Sequence, residues 1–329
     1  MSLSQLINRR VLLAGAAGAL VARPGIARAE NFPSGPVKII VSVGAGAAPD
    51  LLTRLLGEHL SKLWGQPVII ENKPGGAGAV AIKAVAPVAP DGQTLYMALA
   101  TNFIALPELQ TNFPLDVLHD LVPIGFIGEQ PIMIAAAPSL GVKTLPELID
   151  LLKRKPGELN IAGGNRGSIL HLTGEWFRSA TGTKFTLLHY NGGAAAIPDV
   201  MGGRVQVTID AIASMRAPLD SGQVKPLAET AKKRLENFPD VPAAAETLPG
   251  FEAMGWMALM GPRGTPPALA EKISADVRTV LAIPELKNRL IDFGNYVRPM
   301  NPTEVRAFIV EQQQIWRPAI MEAAKAIKQ

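Results

Sequence analysis

Residues 37–52, VKIIVSVGAGAAPDLL, decide how the chain is to be read. Val37 to Val43 form an apolar run of strand length, after which Leu51, Leu52, Leu55, Leu56, Leu60 and Leu63 recur at helical spacing. Between them Gly44, Ala45, Gly46, Ala47 and Ala48 carry almost no side-chain atoms, and Pro49 suits a first helical turn. Such a strand-to-helix turn lets backbone N–H groups approach an anion. The anion is either the pyrophosphate of a dinucleotide or a smaller group such as a carboxylate.

The same device recurs along the chain. PVIIEN (67–72) and TLYMALA (94–100) read as further strands, with the glycine turn KPGGAGAVAIKAVA between them opening a second helix. A second unit begins near PIMIAAAP (131–138): Thr144 caps LPELIDLLKRK, LNIAGG enters the turn GGNRGS (163–168), SILHLTGEWFRSA is helical, and FTLLHY is a strand. GGAAAIPDVMGGR and VQVTIDAIAS repeat the scheme, and GWMALMGPRGTPPALAEKISADVRTVLA adds another strand and helix. In the terminal NPTEVRAFIVEQQQIWRPAIMEAAKA, Asn301 and Glu304 form a capping box, Pro318 is expected to kink the helix, and Val305, Phe308, Ile309, Trp316 and Ile320 need a surface to lie on. The alternation predicts an α/β fold with largely parallel sheets.

The 329 residues, 48% apolar and 18% charged, suffice for two lobes with a sizeable core. Residues 1–29 carry Arg9 and Arg10, an apolar stretch from Val11 to Ala22, and Ala27-Arg28-Ala29, which together read as a removable export signal. Its twin arginine fits the folded-protein export route, with the general route as the alternative. That segment holds four arginines and no acid, so the formal charge of +4 belongs to it, and the remainder is formally neutral. Nucleic acid is thereby excluded as a partner, since its phosphates require clustered cations; Lys153 to Lys155 and Lys232 to Arg234 read as solvated helix ends. There is no cysteine, hence no disulfide, thiol nucleophile or thiolate metal site.

The first turn departs from a dinucleotide fingerprint, because Pro49 occupies the third glycine position, although Glu71 stands where a ribose-binding acid would. Neither His59, His119, His171 nor His189 has metal-ligand spacing, and Ser168 is not in a nucleophile elbow. His171 reads as a base for Ser168 or as a packing residue, and Asp50 as a ligand contact or a helix cap. No metal site, cofactor or catalytic constellation is legible.

Several stretches together resemble one family: FPSGPVKIIVSVGAGAAPDLLTRLL, GQPVIIENKPGGAGAVAIKAVAPVAPDGQTL, LNIAGGNRGSILHLTGEWF, LLHYNGGAAAIPDVMGGRVQVTIDAIAS and GWMALMGPRGTPPALAEKI are similar to the substrate-binding proteins of tripartite tricarboxylate transporters, the Bug receptors. The resemblance implies a type II periplasmic-binding-protein fold: two α/β lobes, residues 30–130 with 252–329 and residues 131–251, joined by two hinge crossings around a ligand cleft. It implies a monomeric, non-enzymatic periplasmic receptor for a small organic carboxylate, with membrane permease subunits as partners; a sensor kinase is the alternative partner, and a secreted nucleotide-dependent enzyme the alternative class. The implied ligand contacts are Val43, Gly44, Ala45, Gly46, Ala47 and Asp50 on the first turn, and Gly164, Asn165, Arg166, Gly167, Ser168 and His171 on the second. Thr101 and Asn102 after the third strand, with Asp210 and Ala211, complete the expected cleft.

Departures from the family pattern bear on the ligand. The first turn lacks the family's prolines before Gly46 and gains Gly44, while Ile169 and Leu170 replace two hydroxyl residues. Ile169, Leu170, Val43 and Phe103 lean toward a carboxylate with an aromatic or apolar body, and Arg166 reads either as partner of a second carboxylate or as a solvated rim residue.

Overall fold

The computed structural model describes residues 32–110, 112–190 and 193–328; the expected export signal lies outside them. Among the described residues nine strands form one sheet, eight of them in a continuous path. They are β1 (Val37–Val41), β2 (Val68–Asn72), β3 (Thr94–Leu99), β4 (Leu121–Ala136), β5 (Asn160–Gly164), β6 (Thr186–Tyr190), β7 (Val207–Ala211), β8 (Lys225–Glu229) and β9 (Met254–Pro262). The helices used below are α1 (Ala48–Trp64), α2 (Ala79–Val85), α3 (Ala100–Ile104), α4 (Leu145–Arg154), α5 (Ile169–Thr181), α6 (Gly193–Met201), α7 (Ile212–Asp220), α8 (Pro267–Leu281), α9 (Pro284–Asp292) and α10 (Pro302–Lys328).

The strand order is β2-β1-β3-β9-β4-β7-β5-β6, with β8 also paired to β4. β4 belongs to both half-sheets. From Leu121 to Pro131 it runs antiparallel to β9; from Ile132 to Ala136 it pairs antiparallel with β7, and from Met133 to Ala136 with β8. β1 and β3 are parallel, β3 and β9 antiparallel, β5 and β7 parallel. β1 therefore runs along β4 and β5 runs against it. The carboxyl end of each points at the junction of the two halves, where open α/β sheets place their ligands.

This mixed sheet corrects the expectation of largely parallel pairing. The sequence also placed a strand start near Pro131, whereas β4 begins ten residues earlier. Pro123, Gly125 and Gly128 look like breakers, but the ladder absorbs them in register shifts between Pro123 and Gly125 and between Phe126 and Gly128. Gly128 has a packing reason: a Cβ there would lie 2.7 Å from the Tyr296 carbonyl oxygen.

In the first half, α1 and α8 cover one sheet face through Leu52, Leu56, Leu60, Ile273 and Val277. α2, α3 and α10 cover the other through Ile82, Phe103, Val305 and Phe308. α10 starts from the expected capping box: Asn301 N–H donates to Glu304 Oε2 (2.8 Å) and Glu304 N–H to Asn301 Oδ1 (3.0 Å). Its surface turns out to be shared. Gln313 donates to the Phe103 carbonyl (2.9 Å), while Trp316 meets Trp176 of α5 edge-on at 5.2 Å. α10 is assigned as one helix through Pro318 to Lys328. Lys153 to Lys155 close α4 as expected, but Lys232 to Arg234 follow β8 in non-helical chain, where Arg234 pairs with Glu246.

A single buried hydroxyl ties both crossings between the halves. Thr230 Oγ1 accepts from Ile132 N–H (2.9 Å) on β4 and donates to the Ala253 carbonyl just before β9. Replacing Thr230 with isosteric valine leaves that amide and that carbonyl buried without this partner, so urea unfolding should show a loss of about 1–3 kcal/mol; an unchanged midpoint would show that the crossings do not depend on it.

Candidate functional site

Two turns at the junction are built alike. In the first, Gly46 takes a positive φ of 83° and donates its N–H to Asp50 Oδ2 (2.8 Å), four residues on in the first turn of α1. In the second, Gly167 has φ 79° and donates its N–H to His171 Nδ1 (3.1 Å), four residues on in the first turn of α5. Each glycine supplies a left-handed backbone that side chains disfavour, and each helix supplies an acceptor that fastens it. Ser168 caps α5, its Oγ accepting from His171 N–H (3.3 Å), and Ser168 N–H donates to the Asn165 carbonyl (2.9 Å).

Asp50 and His171 thus lie behind their turns. Asp50, 1% exposed, also accepts from Arg54 (3.1 Å) and from Asn72 Nδ2 (2.8 Å), and that same amide reaches the Val43 carbonyl. Burial pushes this carboxyl up, but the bonds from Arg54, Gly46 and Asn72 outweigh it and hold the group below its ordinary value. His171 is pushed down to about 4, first by burial and then by neighbouring His189, Arg166 and Arg178. It is neutral at pH 7, and because its Nδ1 accepts, the ring proton sits on Nε2, 3.7 Å from Glu175.

What the turns leave exposed is backbone. Gly44, Ala45 and Gly46 are exposed, as are Asn165 and Arg166, and among the described residues the N–H groups of Gly44, Ala45, Asn165 and Arg166 make no intramolecular bond. Val43 and Ala47 flank the first set half-buried, and Gly164 is buried where β5 ends. Each set stands beside the positive end of a helix of thirteen residues or more. The halves touch here: a Cβ on Gly167 would sit 3.4 Å from Leu109 Cδ1.

Other expected residues divide. Thr101 is half-exposed at the start of α3. Asn102 is buried and fully used: its Oδ1 accepts from the Tyr96 hydroxyl and the Leu99 N–H (both 2.7 Å), and its Nδ2 donates to the Ala77 carbonyl (2.8 Å). Phe103 is not on the cleft; it is wholly buried, 5.8 Å from the Trp256 ring. Asp210 is buried at the end of β7, where its Oδ1 accepts from Ala211 N–H (2.6 Å) and from the Ser214 hydroxyl (2.8 Å). Burial raises Asp210 to about 6 despite those bonds. Glu229, at the corresponding end of β8, is raised by burial to about 8 and so is mostly uncharged at pH 7.

Sequence reading missed Leu109, Glu229 and His189. The first two lie in LPEL and KPLAE, which carry no periodic signal. His189 follows from its place at the end of a strand beside a glycine turn: its Nδ1–H donates to the Gly164 carbonyl (3.0 Å), and its ring meets that of His171 at 4.9 Å. Glu71, the residue that kept a dinucleotide in play, is held by Lys38 (2.8 Å) and Lys73 (2.6 Å).

Comparison with known proteins identifies the family and the fold. The sequence profile of the family described as "Tripartite tricarboxylate transporter family receptor" matches residues 52–324. Protein BugT of Bordetella pertussis is 31% identical over 316 residues, covering 94% of this chain and 97% of that protein. Among solved structures, R. palustris Rpa4515 with adipate superposes with a TM-score of 0.81 at 28% identity, covering 89% of this chain and 98% of that one. MatC of Rhodopseudomonas palustris with bound malate gives 0.77 at 29% identity over 88% and 100% of the two chains.

The depressed His171 value sets a stability signature. The unfolded histidine binds a proton near pH 6.5 and the folded one only near 4, so stability from this group is complete above 6.5 and is lost as pH falls to 4. The loss is on the order of 3 kcal/mol. Because Asp210 and Glu229 titrate with the opposite sign, the measurement is the difference between the pH–stability curves of the wild type and His171→Leu. That difference should shrink between pH 6.5 and 4; a constant offset would place the neutral imidazole elsewhere.

Proposed function

Because the chain belongs to the tripartite tricarboxylate transporter family of receptors, we propose that it is a periplasmic solute-binding protein. In this reading it captures a small organic carboxylate between its lobes and hands it to the permease subunits of a tripartite tricarboxylate-type membrane transporter. The observation that carries the reading is the pair of similarly built turns, whose free N–H groups stand at the carboxyl ends of β1 and β5. Hydrogen bonds from such groups to a carboxylate contribute about 1.5–3 kcal/mol each, and helix N-termini favour the same charge. The adipate and malate of the two similar structures are ligands of this class.

The contacts are assigned to Val43, Gly44, Ala45, Gly46 and Ala47 on one lobe, and to Gly164, Asn165, Arg166, Gly167 and Ser168 on the other, with Thr101 and Ala211 at the rim. Asp50, Asn102, His171 and Asp210 serve by holding these segments in place. Lobe boundaries at residues 30–130 with 252–329, and at 131–251, fit the change of β4 partners after Pro131 and the start of β9 at Met254. A ligand bridging both turns favours the closed arrangement, the usual basis of capture by hinged lobes. The protein acts as a monomer in this scheme.

The geometry supports binding in place of turnover. Ser168 Oγ is occupied as a helix cap, and His171 Nδ1 is occupied by Gly167, so the two are not set as nucleophile and base.

Gly44 offers a clean test, since a Cβ there meets nothing within 4 Å and its φ is not positive. Gly44→Val should keep stability within about 0.5 kcal/mol while lowering carboxylate affinity at least roughly tenfold, read by calorimetry with adipate, malate and a panel of aromatic acids. Wild-type protein that bound none of these acids would end the receptor reading.

A further inference from the structure

Resting on that reading, we infer that Arg166 and His189 form a cationic subsite at the second turn that takes the distal acidic group of a dicarboxylate. The two jaws differ in charge. Behind the first turn Arg54 is committed to Asp50 and Asn72, and Lys38 and Lys73 to Glu71. At the second turn Arg178 is committed to Glu175 (3.0 Å), but Arg166 is exposed and has no partner among the described residues. His189 is exposed on the adjoining end of β6, its ring packed against His171 and its Nδ1–H anchored on the Gly164 carbonyl. Arg166 and His189 both lie close enough to His171 to disfavour its protonation, which places them on the same side of the second turn.

Hydrogen-bond bookkeeping adds a constraint. With Nδ1–H already donated to the Gly164 carbonyl, Nε2 is the ring nitrogen of His189 left for a ligand. His171 of α5 packs against the His189 ring, Tyr190 follows it on β6, and Arg166, Arg178 and Glu175 lie near His171. Tyr190 is tied to Asp199 of α6, which Arg204 also engages. Gly163 and Gly164 of the neighbouring β5 add no charged group.

An acid of this kind has one carboxylate on the backbone N–H groups of the first turn, an apolar body beside Leu109, Ile169 and Leu170, which are half-buried, and its second acidic group at Arg166 and His189. Matched acids test it by calorimetry on the full chain: adipate against hexanoate, and terephthalate against benzoate. Wild-type protein should prefer the diacid in at least one pair. Arg166→Gln and His189→Gln should each reduce the diacid-to-monoacid affinity ratio on the order of 10- to 100-fold. A wild-type preference for the monoacid in both pairs, or an unchanged ratio in both variants, overturns the subsite while leaving the receptor intact. Failure of every acid to bind would instead remove the carboxylate reading on which it rests.

Discussion

The backbone ladder of β4 is the constraint on which the rest depends. One strand of 16 residues satisfies its N–H and C=O groups against β9 at one end and against β7 and β8 at the other. An unpaired buried peptide group costs as much as a lost hydrogen bond, so the two half-sheets cannot drift independently of it. Because β7 and β5 run against β4 while β1 and β3 run with it, the carboxyl edges of both halves confront each other. Thr230 reinforces the joint from β8's side, and α10 adds a strap through Gln313 and Trp316. The cleft follows from this topology, before any ligand-facing residue is considered.

Within the cleft one local device is used twice with different chemistry. A left-handed glycine donates to the side chain four residues on, which is a carboxylate at Asp50 and a neutral imidazole at His171. The charge of Asp50 is absorbed by Arg54 and Asn72, and burial leaves Glu229 mostly uncharged at pH 7. A neutral His171 costs less to bury than a cation would. Arg166 and His189 are exposed beside this second turn, and Arg166 has no partner among the described residues.

Local signals carried much of the fold. The strand-turn-helix units around Gly44 to Ala48 and Gly163 to Ser168 were legible because each element declares its own period and its own turn chemistry. β4 was not, because Pro123, Gly125 and Gly128 mimic a break that only the β9 ladder and the space beside Asn295 and Tyr296 accommodate. Phe103 shows the same limit at a single residue: its place after a strand end suggests a cleft, yet Trp256 packs over it. Asn102 likewise reads as a polar cleft residue, but its amide is consumed by Tyr96, Leu99 and Ala77.

By itself the sequence determined that this chain is built of α/β units with two glycine turns and, through its resemblance, that it belongs to a receptor family. Those properties reside in composition and in spacing over a few residues. Only the tertiary structure decided which groups face the cleft and which stand behind it. The partners of Asp50, Asn102 and His171 come from β2, from the turn before α2 and from the second turn itself, and the ring of His189 reaches His171 from a separate strand. A hydrogen bond consumes a donor wherever in the chain its acceptor lies, so the inventory of free N–H groups and free cations exists only once the strands have paired.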